Sequence, residues 1–331
     1  MDLSQATAAV SEFDKCRVKH PKREFVFKRL NIMSAYATNF QQEKQNPDYD
    51  PYAEKSEKKG MIVSGFPGVG KSSLCGRYVQ LNKPYMRSTE QGDQLIVHTL
   101  YFQLPGQVTV KRIIAGLLRA LGYAPNTSKD EDTLTADLLS ALTKCEVKII
   151  ILDEIQHLSS RKNVDHMPLI QNSLKGLIND CDQFFVFVGD LTTPKIIKGC
   201  GQLGRRAPTT VTLEPFSFPA TEQSETFAVV KSLLAVMPDK TGVSLSRKVD
   251  LLEFSQRLFI ASGGVIDTMR FYMSEALLDA LISGQRSIDL SHFSDAFLLA
   301  PSDNALMKAN PFAMTRSQLT KWIDKAVGYA S

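Results

Sequence analysis

The sequence predicts an α/β fold in which a mostly parallel sheet is followed by a smaller all-helical region. Short apolar runs alternate with amphipathic, helix-like segments as far as residue 213, which is typical of a parallel sheet covered by helices. From residue 219 to residue 300 only helical patterns remain. At 331 residues the chain is long enough for one large domain and a smaller one.

Composition and charge indicate a globular chain, with 43% hydrophobic and 22% charged residues. The net charge of +4 permits contact with nucleic acid without requiring it. None of the five cysteines has CxxC spacing, so we expect reduced thiols in the cytoplasm and neither a zinc site nor disulfides. We find no signal peptide and no apolar run of about 18 residues, and therefore expect no membrane span.

A glycine-rich loop after the apolar strand Met61–Val63 is the first element that carries chemistry. Residues 65–72, GFPGVGKS, fit the phosphate-binding P-loop pattern and precede a helical segment. Backbone amides of such a loop, and the helix after it, converge on phosphate. We expect Lys71 to reach the β- and γ-phosphates and Ser72 to bind Mg²⁺. The predicted nucleotide-binding residues are Gly65, Pro67, Gly68, Val69, Gly70, Lys71, Ser72 and Ser73.

A second motif lies at the end of the run Ile149–Leu152, whose four apolar residues predict a strand buried on both faces. Asp153 and Glu154 follow directly, at the strand end where ligands bind in open α/β sheets. Asp153 is expected to hold Mg²⁺ through its water shell, and Glu154 to polarise the attacking water. Together the two motifs predict a site for ATP or GTP with Mg²⁺.

The remaining elements complete the alternating pattern. We predict a strand at 95–101, a helix from Thr109 to Leu121 and apolar strands at 184–188 and 209–213. Strands are expected to stop at Pro215, and four helices are predicted at 222–236, 247–261, 265–282 and 290–299. This organisation predicts an N-terminal extension (1–59), a nucleotide-binding core (60–215), a helical lid (216–300) and a C-terminal tail (301–331).

Both flanking regions leave alternatives open. The basic cluster of residues 15–29 could be an arm that contacts phosphates or a partner, or a helix that packs on the core through its aromatic residues. Residues 46–51 are predicted to be a linker. In the tail, Asn310-Pro311-Phe312 and Trp322 suggest a short element that docks a partner, although the tail could instead pack on the lid.

Four stretches of the sequence resemble the TniB/TnsC family of AAA+ ATPases. They are GFPGVGKS, residues 104–112, the phrase ILDEIQHL at 151–158, and Gln202-Leu203 followed by paired arginines. The resemblance runs from about residue 60 to residue 213 and continues more weakly to residue 300. It implies an AAA+ P-loop NTPase with a five-stranded parallel sheet and a helical lid, which hydrolyses ATP with Mg²⁺.

The resemblance also implies partners, because these proteins regulate transposition in Tn-type and CRISPR-associated transposons. We therefore expect homo-oligomeric rings or helical filaments on double-stranded DNA, with roughly six or seven subunits per turn. A TniQ-like target-selection protein and the transposase subunits would be the protein partners.

The resemblance also assigns roles to several residues. Asp190 or Thr192 falls at the sensor 1 position, where Asn, Thr or Ser is usual. Arg205 or Arg206 falls at the arginine finger that reaches a neighbouring subunit, and Arg270 at sensor 2. Thr109, Lys111 and Arg112 fall in the insert that holds DNA. For each arginine, a surface salt bridge is the alternative.

Two other functions fit the same motifs. A helicase loader or replication initiator also places an AAA+ module on DNA, usually through an added winged-helix domain, for which residues 301–331 are too few. A signalling or secretion-associated ATPase would bind protein and not DNA, and related proteins of that kind often carry a membrane span.

Overall fold

A computed structural model describes residues 2–44, 46–50, 60–90, 92–159, 167–199 and 201–328. The chain divides into two compact units, Lys22–Leu213 and the combination of Met1–Pro21 with Glu214–Ser331. The predicted extension 1–59 is therefore shared between the units and is not a separate arm. Most of the approach to the first strand, residues 51–59, lies outside the described residues.

The secondary structure alternates as the sequence predicts. The helices are α1 (Leu3–Asp14), α2 (Arg23–Glu43), α3 (Lys71–Leu81), α4 (Val110–Ala120), α5 (Glu131–Lys144), α6 (Met167–Asp180), α7 (Thr193–Gly199), α8 (Gly201–Arg206), α9 (Glu225–Thr241), α10 (Leu251–Ser262), α11 (Ile266–Ile282), α12 (Leu290–Leu299) and α13 (Arg316–Gly328). The strands are β1 (Met61–Gly65), β2 (Tyr85–Thr89), β3 (Gly92–Ile96), β4 (Thr99–Gln103), β5 (Ile149–Asp153), β6 (Phe184–Gly189), β7 (Thr209–Leu213), β8 (Ser244–Leu245) and β9 (Ser287–Ile288). None of the helices in the described ranges is both long and apolar enough to span a bilayer.

A five-stranded parallel sheet in the order β4-β5-β6-β1-β7 forms the centre of the unit Lys22–Leu213 and confirms the predicted fold class. Side chains alternate across it, so that Met61 and Val63 face the core beneath α2 and α3, while Ile62 faces the core beneath α4 and α5. Because both faces are covered, β5 is apolar at every position before Asp153. The carboxyl ends of β1, β4, β5 and β6 meet at one edge.

The predicted strand at 95–101 is in fact two strands. Ile96 pairs with Tyr85 in the antiparallel β2–β3 hairpin, whereas Thr99 pairs with Ile149 in the main sheet. The chain changes partner at Val97-His98, where the Val97 N–H donates to the Cys145 carbonyl. An apolar run in the sequence does not show such a change, because it looks the same whether it pairs with the adjacent β2 or with the distant β5.

The basic cluster of residues 15–29 is largely engaged within the fold. Lys22 Nζ donates to the Thr212 carbonyl at 2.6 Å, and Arg29 donates to Thr209 Oγ1 at 3.2 Å, so both cations hold α2 against β7. The Arg23 guanidinium lies 5.3 Å from the centre of the Phe27 ring. These contacts favour the helix packed on the core over the phosphate-contacting arm.

The other unit is helical, with a core from α1 and α9–α13. Strand pairing does not stop at Pro215 as predicted, because β8 and β9 form a short parallel pair, Ser244 with Ser287 and Leu245 with Ile288. A two-residue strand has too little pattern to be recognised in a sequence. Arg270 on α11 donates to the backbone carbonyls of Asp14 and Cys16, which attaches the end of α1.

The structure of the C-terminal tail corrects the prediction of a partner-docking element. Phe312 is not an exposed anchor: its side chain is only 3% exposed, and its ring lies 5.5 Å from that of Phe293. The fully buried Arg257 donates to the Pro311 carbonyl, and Asn310 Nδ2 donates to the Ser294 carbonyl at 3.0 Å. The residues that suggested a docking element therefore pack on the lid, which was the alternative.

Candidate nucleotide-binding site

The P-loop connects β1 to α3 through glycines in the left-handed region, with φ of 76° at Gly68 and 94° at Gly70. A side chain is strained there, which explains why the turn needs glycine. Helix α3 begins at Lys71, directly after the loop, so the first amides of that helix have no partner within it. The arrangement is a cradle of N–H donors for an anion.

The side-chain amine of Lys71 lies inside this cradle. Its Nζ donates to the Gly65 carbonyl at 3.0 Å and to the Phe66 carbonyl at 2.7 Å. Burial lowers the pKa of Lys71, and three neighbouring carboxylates act in the opposite direction; they belong to Asp153, Glu154 and Asp190. The structure thus brings together the P-loop lysine and the acidic residues at the ends of β5 and β6.

Asp153 is almost completely buried, at 1% exposure, and two hydrogen bonds orient its carboxylate. Its Oδ1 accepts from the Glu154 backbone N–H at 2.8 Å, and its Oδ2 accepts from the Tyr101 hydroxyl. Burial raises the pKa of Tyr101 first, and the bond to Asp153 raises it further, so the phenol keeps its proton at neutral pH.

These oxygens fit a magnesium ion. Mg²⁺ prefers hard oxygen ligands and, at phosphoryl-transfer sites, is held by one or two protein groups together with substrate phosphates. The Asp153 carboxylate, oriented by Tyr101, and the Ser72 hydroxyl at the start of α3 provide such a pair beside the phosphate cradle. In the described part of the chain no group of three or more His, Cys, Asp or Glu residues could hold a metal without a substrate.

Glu154 has an unusual backbone conformation, with φ of 62°. Its Oε2 accepts a hydrogen bond from Gln156 Nε2 and lies 3.8 Å from His157 Nε2. His157 Nδ1 contacts the Leu104 carbonyl at 2.9 Å and must carry a proton to do so, because a carbonyl only accepts. The carboxylate is therefore fixed by the 3₁₀ helix Ile155–Ser159 that follows it.

The predicted sensor 1 residue, Asp190, lies in the turn just before α7. Its Oδ1 accepts from the Thr192 N–H at 2.8 Å and from the Thr192 hydroxyl, which stabilises this turn. The Asp190 backbone N–H donates to Gln156 Oε1 at 3.2 Å. A Cβ on Gly189 would collide with that same oxygen, so glycine is needed for Gln156 to reach between the two strand ends.

The structure separates the paired arginines. Arg206 is half-buried and donates to the Ile178 carbonyl at 3.0 Å, so its guanidinium is used within its own subunit. Arg205 is exposed and makes no hydrogen bond or ion pair with the described part of the chain. Arg270, predicted as sensor 2, uses its guanidinium on the carbonyls at the end of α1.

The predicted DNA-binding residues line a groove of about 640 Å³ at the start of α4. Thr109 Oγ1 accepts from the Arg112 N–H at 3.2 Å and so caps the helix, as expected. Arg112 NH1 contacts the Gln107 carbonyl and Oε1, each at 3.2 Å. The lining also contains a third cation, Arg119, and an aromatic ring, Phe102, which the predicted set does not include. The residues of the groove include Phe102, Gln103, Pro105, Thr109, Lys111, Arg112 and Arg119.

The sequence patterns do not assign a role to three side chains of this site: Tyr101, Gln156 and His157. The last two lie in the phrase ILDEIQHL, which served only as a sign of family. For Tyr101 the sequence gives no signal beyond its place in a predicted strand. Its function depends on β4 lying next to β5, a pairing of distant segments.

The five-stranded parallel sheet, the P-loop between β1 and α3 and the acidic pair after β5 define an α/β P-loop protein of the AAA+ class. Within this class, the chain belongs to the family described as Bacterial TniB protein, whose sequence profile matches residues 49–217. No curated protein matches the chain by sequence.

Solved structures share the fold at low sequence identity. The Aeropyrum pernix ORC2 protein, in its ADPNP–ADP complexes, is 14% identical with a TM-score of 0.55, over 86% of this chain and 70% of that one. Cdc6p from Pyrobaculum aerophilum is 14% identical with a TM-score of 0.55, over 90% and 71%. The Aeropyrum pernix ORC1 protein in complex with DNA is 16% identical with a TM-score of 0.54, over 85% and 66%.

Proposed function

We propose that this protein is an ATP-dependent, DNA-binding regulator of transposition that acts in the cytoplasm. It binds ATP with Mg²⁺, assembles as a homo-oligomer on double-stranded DNA and links a TniQ-like target-selection protein to the transposase. Hydrolysis of ATP then releases the assembly. The observation that carries the proposal is the cluster of Lys71, Ser72, Asp153 and Glu154 at one edge of the sheet in a TniB-family chain.

The nucleotide contacts follow from the geometry of the cradle. Lys71 donates to two loop carbonyls, and a bound phosphate offers a charged acceptor that forms stronger hydrogen bonds with the same amine. Ser72 and Asp153 would hold Mg²⁺, which neutralises charge on the phosphates during transfer. Glu154, fixed by Gln156, would accept the proton of the attacking water.

The transition state needs a further positive charge, and Arg205 is the candidate that remains available. Phosphoryl transfer develops charge on equatorial oxygens, which a guanidinium supplied by a neighbouring subunit stabilises. Arg205 is exposed, whereas Arg206 is used in its own subunit. Completion of the site by a neighbour would make hydrolysis depend on assembly.

Duplex DNA would be held at the groove on α4. Three cationic side chains, Lys111, Arg112 and Arg119, share the groove with the Thr109 hydroxyl near the helix N-terminus. Such groups contact phosphates, which position a protein on DNA without reading its sequence. Binding would therefore be largely independent of sequence and sensitive to salt.

A replication initiator or helicase loader is the second candidate, favoured by the fold likeness to ORC and Cdc6 proteins. It makes the same prediction for ATP and DNA but a different one for the protein partner. A signalling or secretion-associated ATPase would bind no DNA at all.

The test is assembly on DNA. Wild-type protein and the Lys71→Ala variant are each incubated, in separate samples, with duplex DNA and a non-hydrolysable ATP analogue. Both samples are then examined by sedimentation and electron microscopy. We expect the wild type alone to form regular rings or filaments on the duplex. If wild-type protein binds the analogue without engaging DNA, the protein-binding ATPase is favoured and the proposal fails.

A second assay separates the two DNA-based candidates. Assemblies on DNA are incubated with purified transposase subunits, with a TniQ-like protein, or with a replicative helicase and its loader partners. Retention of the transposition proteins is expected. Retention of the helicase alone would assign the protein to replication.

A further inference from the structure

We infer that Tyr101 is a positioning residue for Asp153, one of the two predicted magnesium ligands, because its hydroxyl donates to the Asp153 carboxylate. No sequence motif includes this tyrosine. The inference rests on the proposed nucleotide function and adds to it a residue that controls how the site responds to Mg²⁺.

The direction of the hydrogen bond follows from the number of protons. A tyrosine hydroxyl has one proton, and it is donated to Asp153 Oδ2, because an ionised carboxylate can only accept. Tyr101 is therefore the donor of the pair and Asp153 the acceptor.

Tyr101 is thus an outer partner of Asp153, the carboxylate that is predicted to hold Mg²⁺ through its water shell. Outer partners of this kind orient metal ligands and tune their affinity.

Asp153 is oriented from both sides. Its Oδ1 is held by the Glu154 backbone N–H and its Oδ2 by Tyr101, in a site that is 1% exposed. Tyr101 is placed by the sheet itself, since it pairs with Ile151 in β5 two residues before Asp153. The raised pKa of Tyr101 means that the donor is present throughout the neutral range.

Tyr101→Phe removes only the hydroxyl and keeps the ring. Asp153 Oδ2 then loses its donor. We expect the enhancement of ATP affinity by Mg²⁺ to fall roughly tenfold, the loss of one hydrogen bond to a charged group. Affinity for ATP in EDTA should change by less than about twofold, since Lys71 and the loop amides are untouched.

The experiment is a titration of full-length protein with a fluorescent, non-hydrolysable ATP analogue, in EDTA and over a range of Mg²⁺ concentrations. The matched control is Tyr78→Phe. Tyr78 lies in the same unit, is 3% exposed and donates its hydroxyl to Asn31 Oδ1 at 3.0 Å. The Tyr78→Phe variant therefore loses a comparable hydrogen bond away from the magnesium ligands, and its response to Mg²⁺ should match that of the wild type.

The outcomes separate the inference from the proposed function. Equal losses of affinity in EDTA and in Mg²⁺, or no loss in either, would overturn the positioning role while wild-type protein still shows Mg²⁺-dependent binding. Wild-type protein that binds no nucleotide would overturn both.

Discussion

Gln156 holds Glu154 by a hydrogen bond from its side-chain amide to the carboxylate. The other end of the same amide, Oε1, accepts the backbone N–H of Asp190 at 3.2 Å. One side chain thus connects the candidate general base after β5 with the end of the neighbouring strand β6. Because Glu154 lies at a φ of 62°, its orientation is maintained by such contacts and not by a relaxed backbone.

Gln156→Ala should therefore lower the hydrolysis rate about tenfold while ATP affinity stays unchanged. A base that is free to move spends less time in the productive geometry. Steady-state hydrolysis and nucleotide titration measure the two quantities separately. Gln41→Ala is the control, because Gln41 donates to the Val147 carbonyl in the same unit, away from the site. Faster hydrolysis by Gln156→Ala would mean that Gln156 restrains Glu154.

Lys71→Ala and Glu154→Gln should have different effects. Loss of the Lys71 amine removes charge-assisted phosphate contacts, so ATP binding and ATP-dependent assembly should both be abolished. Glu154→Gln keeps the site's shape but removes the base, so ATP should bind and turnover should stop, leaving stable assemblies on DNA. Glu154→Gln that hydrolyses ATP at the wild-type rate would exclude Glu154 as the base.

Arg205 and Arg206 should also differ when replaced singly. Arg205→Ala should reduce hydrolysis by about 10³-fold or more without affecting stability, as expected for an arginine supplied in trans. Mixing Arg205→Ala with Lys71→Ala should restore some activity at hybrid interfaces. The absence of such rescue would argue for a role of Arg205 in its own subunit.

Arg206→Ala should act on folding. It leaves the Ile178 carbonyl without its donor, so the free energy of unfolding should fall by about 1 kcal/mol in a denaturant titration. Arg205→Ala serves as the comparison in the same titration and should leave it unchanged. Equal destabilisation by both variants would contradict the distinction between them.

Lys111→Ala combined with Arg112→Ala should weaken duplex binding about equally for all sequences. Each lost phosphate contact should lower the salt slope by about one unit per subunit. A salt titration with a saturating non-hydrolysable ATP analogue measures it. Arg247→Ala with Lys248→Ala removes the same charge from exposed positions of the other unit and should leave the slope unchanged. An unchanged slope in the α4 variant would place the DNA contact elsewhere.

Phe312→Ala should destabilise the helical unit by about 3–5 kcal/mol, the usual cost of removing a buried aromatic side chain. Denaturant unfolding followed by Trp322 fluorescence measures this. Leu306→Ala is the control, since Leu306 is 50% exposed and should change stability by less than about 0.5 kcal/mol. An unfolding transition equal to that of the wild type would contradict the packed tail.

Local patterns predicted much of the main sheet. The strands at β1, β5, β6 and β7 follow from apolar runs between turn signals, and the P-loop follows from a spacing that phosphate binding itself requires. The sequence does not show which strand each segment pairs with. The run at 95–101 looks uniform, yet Ile96 and Thr99 pair with different strands.

The same reason explains the site. Lys71, Asp153 and Glu154 were predictable because each lies in a short motif of consecutive residues that is typical of phosphate and magnesium binding. Tyr101 was not, because an ordinary strand tyrosine gains its role only when β4 lies beside β5. In the basic cluster the sequence suggests a role that the structure does not favour. Lys22 and Arg29 look available for phosphate contacts in the sequence, but in the structure they hold α2 on β7.

The attachment of α1 to the helical unit has a consequence for protein synthesis. The helix leaves the ribosome before residues 22–213, yet the helices it packs against, α9 and α11, are translated only after that whole unit. Residues 22–213 can complete their sheet while the apolar face of α1, with Ala6, Val10 and Phe13, still waits for its partners. A nascent chain that stalls before α11 therefore exposes that face, which is the kind of segment that chaperones bind.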